Sequence, residues 1–231
     1  MFDTFIYCCG KSGSTTLTDT FKNNGYKVIK IHREEYYNDV HKDKYKMPMY
    51  KLINLSRKEK NIAFIDVYRL PIERKISSFF QNINLHIPDY ETKSIQELID
   101  LFNSKYLYEL EEYHSINEVM GHYHVPLFEQ FNFKKRYVMK THENMIFIKL
   151  HFNDISKWNQ ILSSITGKKI MMKSNNISSE KYYKDIYKQF KDQYKLPIDY
   201  LLIIENNNEF KIFNTPTEQI NYLSMWKLKS I

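Results

Sequence analysis

The chain is poor in several features that often reveal where a protein works and what it builds. Its two cysteines are neighbours, Cys8 and Cys9. Adjacent cysteines rarely pair with each other, so a disulfide framework is excluded and a reducing, cytoplasmic setting is expected. Five glycines and six prolines in 231 residues form no low-complexity linker, and there is no internal repeat. No apolar run approaches the roughly 20 residues of a membrane span. Met1-Phe2-Asp3-Thr4-Phe5 leads straight into an apolar segment, without the charged and apolar regions of a signal peptide. RNP-like, zinc-finger and helix-turn-helix signatures are also missing, so no nucleic-acid partner is expected. The 34 Lys and Arg against 27 Asp and Glu leave a net charge of +7, spread along the chain without forming a tract. That charge suits an anionic ligand. A composition rich in Lys, Asn, Ile and Tyr throughout explains it equally well.

Against these absences stands ample material for a core. A hydrophobic content of 42 % and an aromatic content of 16 % exclude a disordered chain. The length fits one α/β domain and no composition break marks a second, so residues 1–231 are expected to form a single domain. Strands are predicted at 26–31, 61–67, 136–139 and 145–150, after a first strand over the apolar run Phe5-Ile6-Tyr7-Cys8. Helices are predicted at 15–23, 71–84, 94–113, 152–165 and 179–194, with a basic loop leading into the 61–67 strand. Asn24-Gly25 reads as a left-handed stop for the first helix. Thr215-Pro216-Thr217-Glu218 reads as a capping box with proline at the first helical position, opening a last helix. Alternating strands and helices predict a central, mainly parallel sheet of about four or five strands with helices on both faces.

The most informative segment is Cys9-Gly10-Lys11-Ser12-Gly13-Ser14-Thr15-Thr16-Leu17, which follows the first strand and opens a helix. Such a turn aims several backbone N–H groups at one point. The positive end of the helix dipole and Lys11 make it a cradle for phosphate or sulfate. The nucleotide-triphosphate P-loop needs a glycine five positions before its Gly-Lys pair. Here that position is Phe5, inside the strand, so the loop is too short to wrap a triphosphate in the usual way. A bland alternative is an ordinary strand-to-helix turn with a Ser or Thr N-cap.

A second motif runs from Ile65 to Phe80. Pro71 is placed to start a helix, and Ile72, Ile76, Phe79, Phe80 and Ile83 recur at the spacing of an amphipathic stripe. Arg74, Ser77, Ser78 and Gln81 are expected on the opposite face. Arg69 then leaves a strand end and Ser77 follows eight residues later, a guanidinium fork and a hydroxyl fit to hold a second phosphate.

Together the two motifs resemble the sulfotransferases that use 3′-phosphoadenosine 5′-phosphosulfate (PAPS). In that family a Lys-Ser-Gly-Thr-Thr-like turn binds the 5′-phosphosulfate, and an arginine and a serine eight residues apart bind the 3′-phosphate. Lys11, Ser12, Gly13, Ser14, Thr15 and Thr16 match the first, and Arg69 with Ser77 matches the second. The Lys-x-Gly-Ser-Thr form, followed by Leu17 where the cytosolic members have tryptophan, is closer to the carbohydrate-modifying members. Trp158-Asn159, Tyr183 to Tyr194 and Leu196-Pro197 look like the C-terminal part of capsular-polysaccharide-synthesis proteins of the same group. Residues 84 to 140 resemble nothing familiar. The resemblance implies a three-layer, P-loop-NTPase-like fold, PAPS as co-substrate without a metal, and a carbohydrate hydroxyl as acceptor.

Lys11 is then the group that steadies the transferred sulfuryl and the leaving phosphate. For the base, His32 at the end of the second strand is favoured, because an imidazole titrates near neutrality and carbohydrate sulfotransferases often place histidine there. A surface or N-cap histidine is the competing reading. Lys140-Thr141-His142 repeats the Lys-Thr-His of cytosolic sulfotransferases but follows both anion motifs instead of lying between them. Glu34 and Glu73 are outside candidates. The spacing of His114, His122 and His124 matches no zinc pattern, and a thiol nucleophile among Cys8 and Cys9 is a minor possibility beside small buried residues. Two other classes stay open: a nucleotide or small-molecule kinase, with Asp66 as a strand-end magnesium ligand, and a non-catalytic nucleotide- or glycan-binding relic.

Overall fold

The computed structural model describes residues 1–108, 115–173 and 182–230. These gather into two compact units, residues 1–69 with 115–173 and residues 70–108 with 182–230.

The first unit is α/β. Its five strands are β1 (Thr4–Tyr7), β2 (Val28–Ile31), β3 (Ile62–Tyr68), β4 (Tyr137–His142) and β5 (Met145–His151). They form one sheet in the order β2-β1-β3-β5-β4. β1, β2, β3 and β5 run parallel, while β4 pairs antiparallel with β5. The expected mainly parallel sheet is present, with one edge strand reversed. Parallel strands covered on both faces read as continuous apolar runs, and β1 is buried at all four positions. On one face Ile6, Ile65 and Ile148 pack with Leu17, Trp158 and Leu162. On the other, Phe5, Phe64 and Phe147 stack across three strands at ring separations of 5.0 and 5.2 Å. Each such ring is worth about 1.5–3 kcal/mol on burial.

β1 leads into α1 (Ser14–Asn23), which starts one residue earlier than predicted. It ends in the expected left-handed stop: Gly25 has φ 85°, Tyr26 N–H bonds Phe21 O, and Gly25 N–H bonds Lys22 O. The Tyr26 and Phe21 rings meet edge-on at 5.1 Å, completing the hydrophobic contact of this cap. With Tyr26 engaged there, β2 begins only at Val28.

Residues 32–60, read as a basic loop, instead hold helices at Glu34–Val40, Lys42–Tyr45 and Met49–Glu59. In the last of these, Met49, Leu52, Ile53 and Ser56 form a short buried stripe whose signal the surrounding lysines dilute. Ile116–His122 is a further helix not predicted, and the 152–165 helix opens as a 3₁₀ turn over Phe152–Lys157 before Trp158–Thr166.

The topology fixes where a ligand belongs. From β1 the chain crosses to β2 on one side and returns to β3 on the other. Such a switch opens a crevice at the carboxyl end of β1.

The second unit is helical: Pro71–Gln81, Ile83–His86, Ile95–Leu101, Lys184–Gln193, Ile198–Asn206, Asn208–Phe213 and Pro216–Lys227. Ile95–Leu101 runs on into a π-helical turn, Phe102–Leu107. Of the predicted 94–113 and 179–194 helices, residues 109–113 and 179–181 lie outside the described ones. The core is aromatic, with Phe79, Phe80, Phe102, Phe190 and Tyr194 in mutual ring contact. Thr215 and Glu218 form the predicted capping box with Pro216 at the first helical position. Arg74, expected on a polar face, is only 9 % exposed, and Lys75 is buried beside it with its ammonium donating to Tyr106 O at 3.2 Å. Helix Pro71–Gln81 is thus covered more widely than its apolar stripe. Among the described residues no helix is long and apolar enough to cross a membrane.

Candidate functional site

The segment between β1 and α1 is conformationally demanding. Lys11 adopts φ 65° and Gly13 φ 83°, two left-handed residues within three positions. Such a conformation in a lysine costs energy that local contacts must offset, a pattern concentrated at binding sites. Gly13 is also required by space, because a Cβ there would lie 2.9 Å from Trp158 Cη2. Ser12 is fully buried and its hydroxyl donates to Cys9 O at 2.9 Å, so toward a ligand it can offer only its backbone N–H. The first rung of α1 runs from Leu17 N–H to Gly13 O at 3.0 Å, so the N–H groups from Gly13 to Thr16 precede the ladder. Gly13 at the N-cap supplies no side-chain cap. Ser14 and Thr16 are buried and Thr15 is half-buried.

Arg69 follows β3 at the same edge of the sheet. Its Nη1 donates to the carbonyl of Lys11, and its guanidinium lies 4.5 Å from the Phe152 ring. Phe152 meets Trp158 edge-on at 6.3 Å, and the Trp158 indole N–H donates to His151 O at 3.1 Å. The ends of β1, β3 and β5 are thereby tied together. Phe152 and Trp158 are the props of this cluster; nothing in their local sequence announces that role. Ser77 belongs to helix Pro71–Gln81 of the second unit, where it is half-buried.

His32 stands directly after β2, its Nδ1 2.7 Å from Cys8 O. A carbonyl only accepts, so Nδ1 carries the proton and Nε2 keeps its lone pair. Burial, with help from Lys30 and Arg33, pulls the imidazole below its ordinary value against the opposing Cys8 bond. The ring is therefore neutral at neutral pH, the form a base needs. Its other face meets Tyr36 at 4.8 Å.

Of the competing residues Glu34 lies close by, two positions after His32. His142 is the last residue of β4 and pairs with Met145, the first of β5, at the opposite edge of the sheet. The length of β5 separates it from the turn, about 20 Å at 3.3 Å per residue. Lys140 is occupied, donating to Pro126 O and Leu127 O at 3.0 and 2.7 Å. Glu34 sits in the first turn of its helix, while Glu73 accepts from Tyr222 OH at 2.7 Å in the second unit. His122 stacks on Tyr50 at 3.6 Å, and His114 lies outside the described residues. Among the described residues no three His, Cys, Asp or Glu gather as a metal site. Cys8 is fully buried and its thiol is pushed up by burial, the opposite of what a nucleophile needs.

Asp66 is also committed. It is 0 % exposed and pairs at 3.1 Å with Lys149, equally buried and directly opposite on β5. Its other oxygen accepts from Val67 N at 2.7 Å. Asp66 and Lys149 are 83 positions apart in sequence, so no local pattern could have joined them. In comparisons with known proteins, no family model, curated protein or solved structure matches this chain.

Proposed function

We propose that this chain is a PAPS-dependent sulfotransferase that moves a sulfuryl group to a hydroxyl, on a carbohydrate. The observation that carries the reading is the Lys11–Thr16 turn at the switch point of the sheet, its Lys11 carbonyl held by Arg69. The donor fits what is there: a left-handed turn that tolerates no Cβ at Gly13, a helix start without a side-chain cap, and an arginine one strand away. The three-layer, P-loop-NTPase-like fold and a reducing, cytoplasmic setting belong to the same proposal; neither cysteine is in a disulfide.

In this scheme the turn's N–H groups and Lys11 hold the 5′-phosphosulfate, and Arg69 holds the 3′-phosphate. The part of Ser77 rests on the sequence motif alone. Nε2 of His32 takes the proton of the acceptor hydroxyl. The hydroxyl oxygen bonds to sulfur as the sulfur–oxygen bond to the nucleotide phosphate breaks. Lys11 and the helix start stabilise the charge left on that phosphate.

The second reading, a kinase, needs a strand-end carboxylate for magnesium. Asp66, the residue for that task, is buried against Lys149, which weighs against it. Thermal shift separates the two: 3′-phosphoadenosine 5′-phosphate is expected to raise the melting temperature, and ATP with magnesium to leave it unchanged. The reverse pattern would replace the sulfotransferase reading with the kinase one.

A further inference from the structure

Two helices of the second unit turn an apolar face outward. Helix Ile198–Asn206 and helix Pro216–Lys227 bury Tyr200, Leu201, Ile204, Tyr222 and Trp226 in one aromatic core. Leu196 N–H donates to Lys229 O at 3.0 Å, so the start of the first helix lies beside the end of the second. The two pack antiparallel, and with both inner sides on the same core their outer sides form one surface. Ile198, Leu202, Ile203, Ile220, Met225 and Leu228 lie there, each at least 40 % exposed and Leu228 at 89 %. They are six of the fourteen exposed large apolar side chains among the described residues, a concentration that marks an interaction surface. Charge gathers at one end of it. Lys195, Lys227 and Lys229 are exposed around Ile198 and Leu228. The nearby acid, Asp199, accepts from Tyr108 OH at 2.7 and 2.8 Å, and Glu205 lies two turns along the helix from Ile198.

We propose that this face seats on the surface of an anionic phospholipid bilayer. Ile198 and Leu228 enter at the acyl boundary, and the three lysines meet the phosphates and carboxylates of the headgroups. Aliphatic side chains with lysines beside them, and a half-exposed tyrosine at their border, suit helices that lie on a membrane without crossing it. Charge chooses the occupant. A second copy of this chain, docked about a two-fold axis, would bring three lysines into the same contact as three lysines. Anionic headgroups neutralise them instead. Shape agrees, because Leu228 stands free on nearly every side. A fluid interface takes in such a side chain, where a protein partner needs a matching hollow. Seating of this kind is independent of the reaction proposed for the first unit.

The test is sedimentation of the whole protein with vesicles, at low and at physiological salt. One set is phosphatidylcholine alone; the other carries roughly one-third phosphatidylserine. The parent is expected to bind the anionic vesicles at least tenfold more tightly, and less tightly as salt rises. Leu228→Glu, at a side chain 89 % exposed, should weaken that binding at least tenfold with the melting temperature unchanged. Leu85→Glu, at a side chain 74 % exposed elsewhere in the same unit, should bind as the parent does. Lys195→Glu/Lys227→Glu leaves the apolar side chains in place and should abolish the preference for anionic vesicles. That variant decides the matter alone if Leu228→Glu fails to fold. No binding by the parent, equal binding of both vesicles, or parent-like binding by Leu228→Glu or by the lysine variant overturns the proposal. Equal weakening by Leu85→Glu also overturns it, since added negative charge anywhere would then suffice. A parent that is dimeric without vesicles, with Leu228→Glu monomeric, would assign the face to a second copy instead.

Discussion

At the amino edge of the sheet, β4 and β5 are joined by Glu143 and Asn144, and the ring stack of Phe5, Phe64 and Phe147 lies between the strands' first residues and their middle. At the carboxyl edge the same strands end in Lys11 and Gly13 with positive φ, Arg69 over Phe152, a neutral imidazole bonded to Cys8 O, and the Asp66–Lys149 pair just inside. Both edges contain a strained non-glycine residue, Lys11 at φ 65° and Glu143 at φ 49°. Only one is surrounded by polar groups drawn from several strands. Strain alone does not single out a candidate site; strain with converging polar groups does.

The largest expected effect tests which edge does chemistry. His32→Ala should lower the transfer rate by about 10²–10⁴-fold and leave nucleotide binding nearly intact, while His142→Ala should stay within a few-fold of the parent. Lys11→Gly removes backbone strain and should still reduce transfer severely without lowering the melting temperature. Because burial lowers the His32 pKa, the acidic limb of the rate profile should fall below about 6.5, the ordinary imidazole value. The same shift makes the unfolded chain bind the proton more readily, so stability should fall as pH drops from 6.5 through the folded value. Transfer abolished by His142→Ala and spared by His32→Ala would move the reaction to the other edge.

Next in size is the buried pair. Lys149→Met leaves the Asp66 carboxylate uncompensated in the sheet and should cost about 3–5 kcal/mol in denaturant unfolding. The double variant Asp66→Leu/Lys149→Met should recover most of that loss, because two apolar groups replace two desolvated charges. A double variant as unstable as the single one would show that the pair does more than satisfy itself.

Arg69→Ala tests the contact between the turn and β3. Binding of 3′-phosphoadenosine 5′-phosphate should weaken by about 1.5–3 kcal/mol, the range for charge-assisted hydrogen bonds. Adenosine 5′-phosphosulfate, which has no 3′-phosphate, should be little affected. Equal losses for both ligands would reduce Arg69 to a brace for the Lys11 carbonyl.

Much of this was legible beforehand where the signal is local. The Asn24-Gly25 stop and the Thr215 box are each set by a few adjacent residues whose backbone preferences agree, and the Gly10–Thr16 segment was readable as the link from strand to helix, though not with Lys11 left-handed. The parallel strands announced themselves as buried apolar runs. What stayed hidden depends on distance or dilution. The helices over residues 34–59 carry short stripes among many lysines, and Arg74 is covered by packing that its own helix does not encode. Asp66 with Lys149, and Phe152 under Arg69, meet only because the sheet brings distant strands into register. The place of the turn between β1 and α1 was readable, but the props that hold it were not.

The smallest expected effect is the control for Lys11. Glu143 occupies the first position of the two-residue β4–β5 loop with positive φ, where glycine is preferred. Its carboxylate accepts from Arg57 Nη1 at 2.7 Å, but the glutamate side chain is 62 % exposed, so the pair is worth at most a few tenths of a kcal/mol up to about 1. Glu143→Gly removes that pair and adds backbone freedom to the unfolded chain, while relieving left-handed strain of about 1–2 kcal/mol. These terms nearly cancel, and unfolding in urea should shift by no more than about 0.5 kcal/mol in either direction, with nucleotide binding unchanged. A loss beyond 1 kcal/mol would mean that the Arg57–Glu143 pair anchors the hairpin. The amino edge would then be organised by charge as well, and the contrast with Lys11 would lose its meaning.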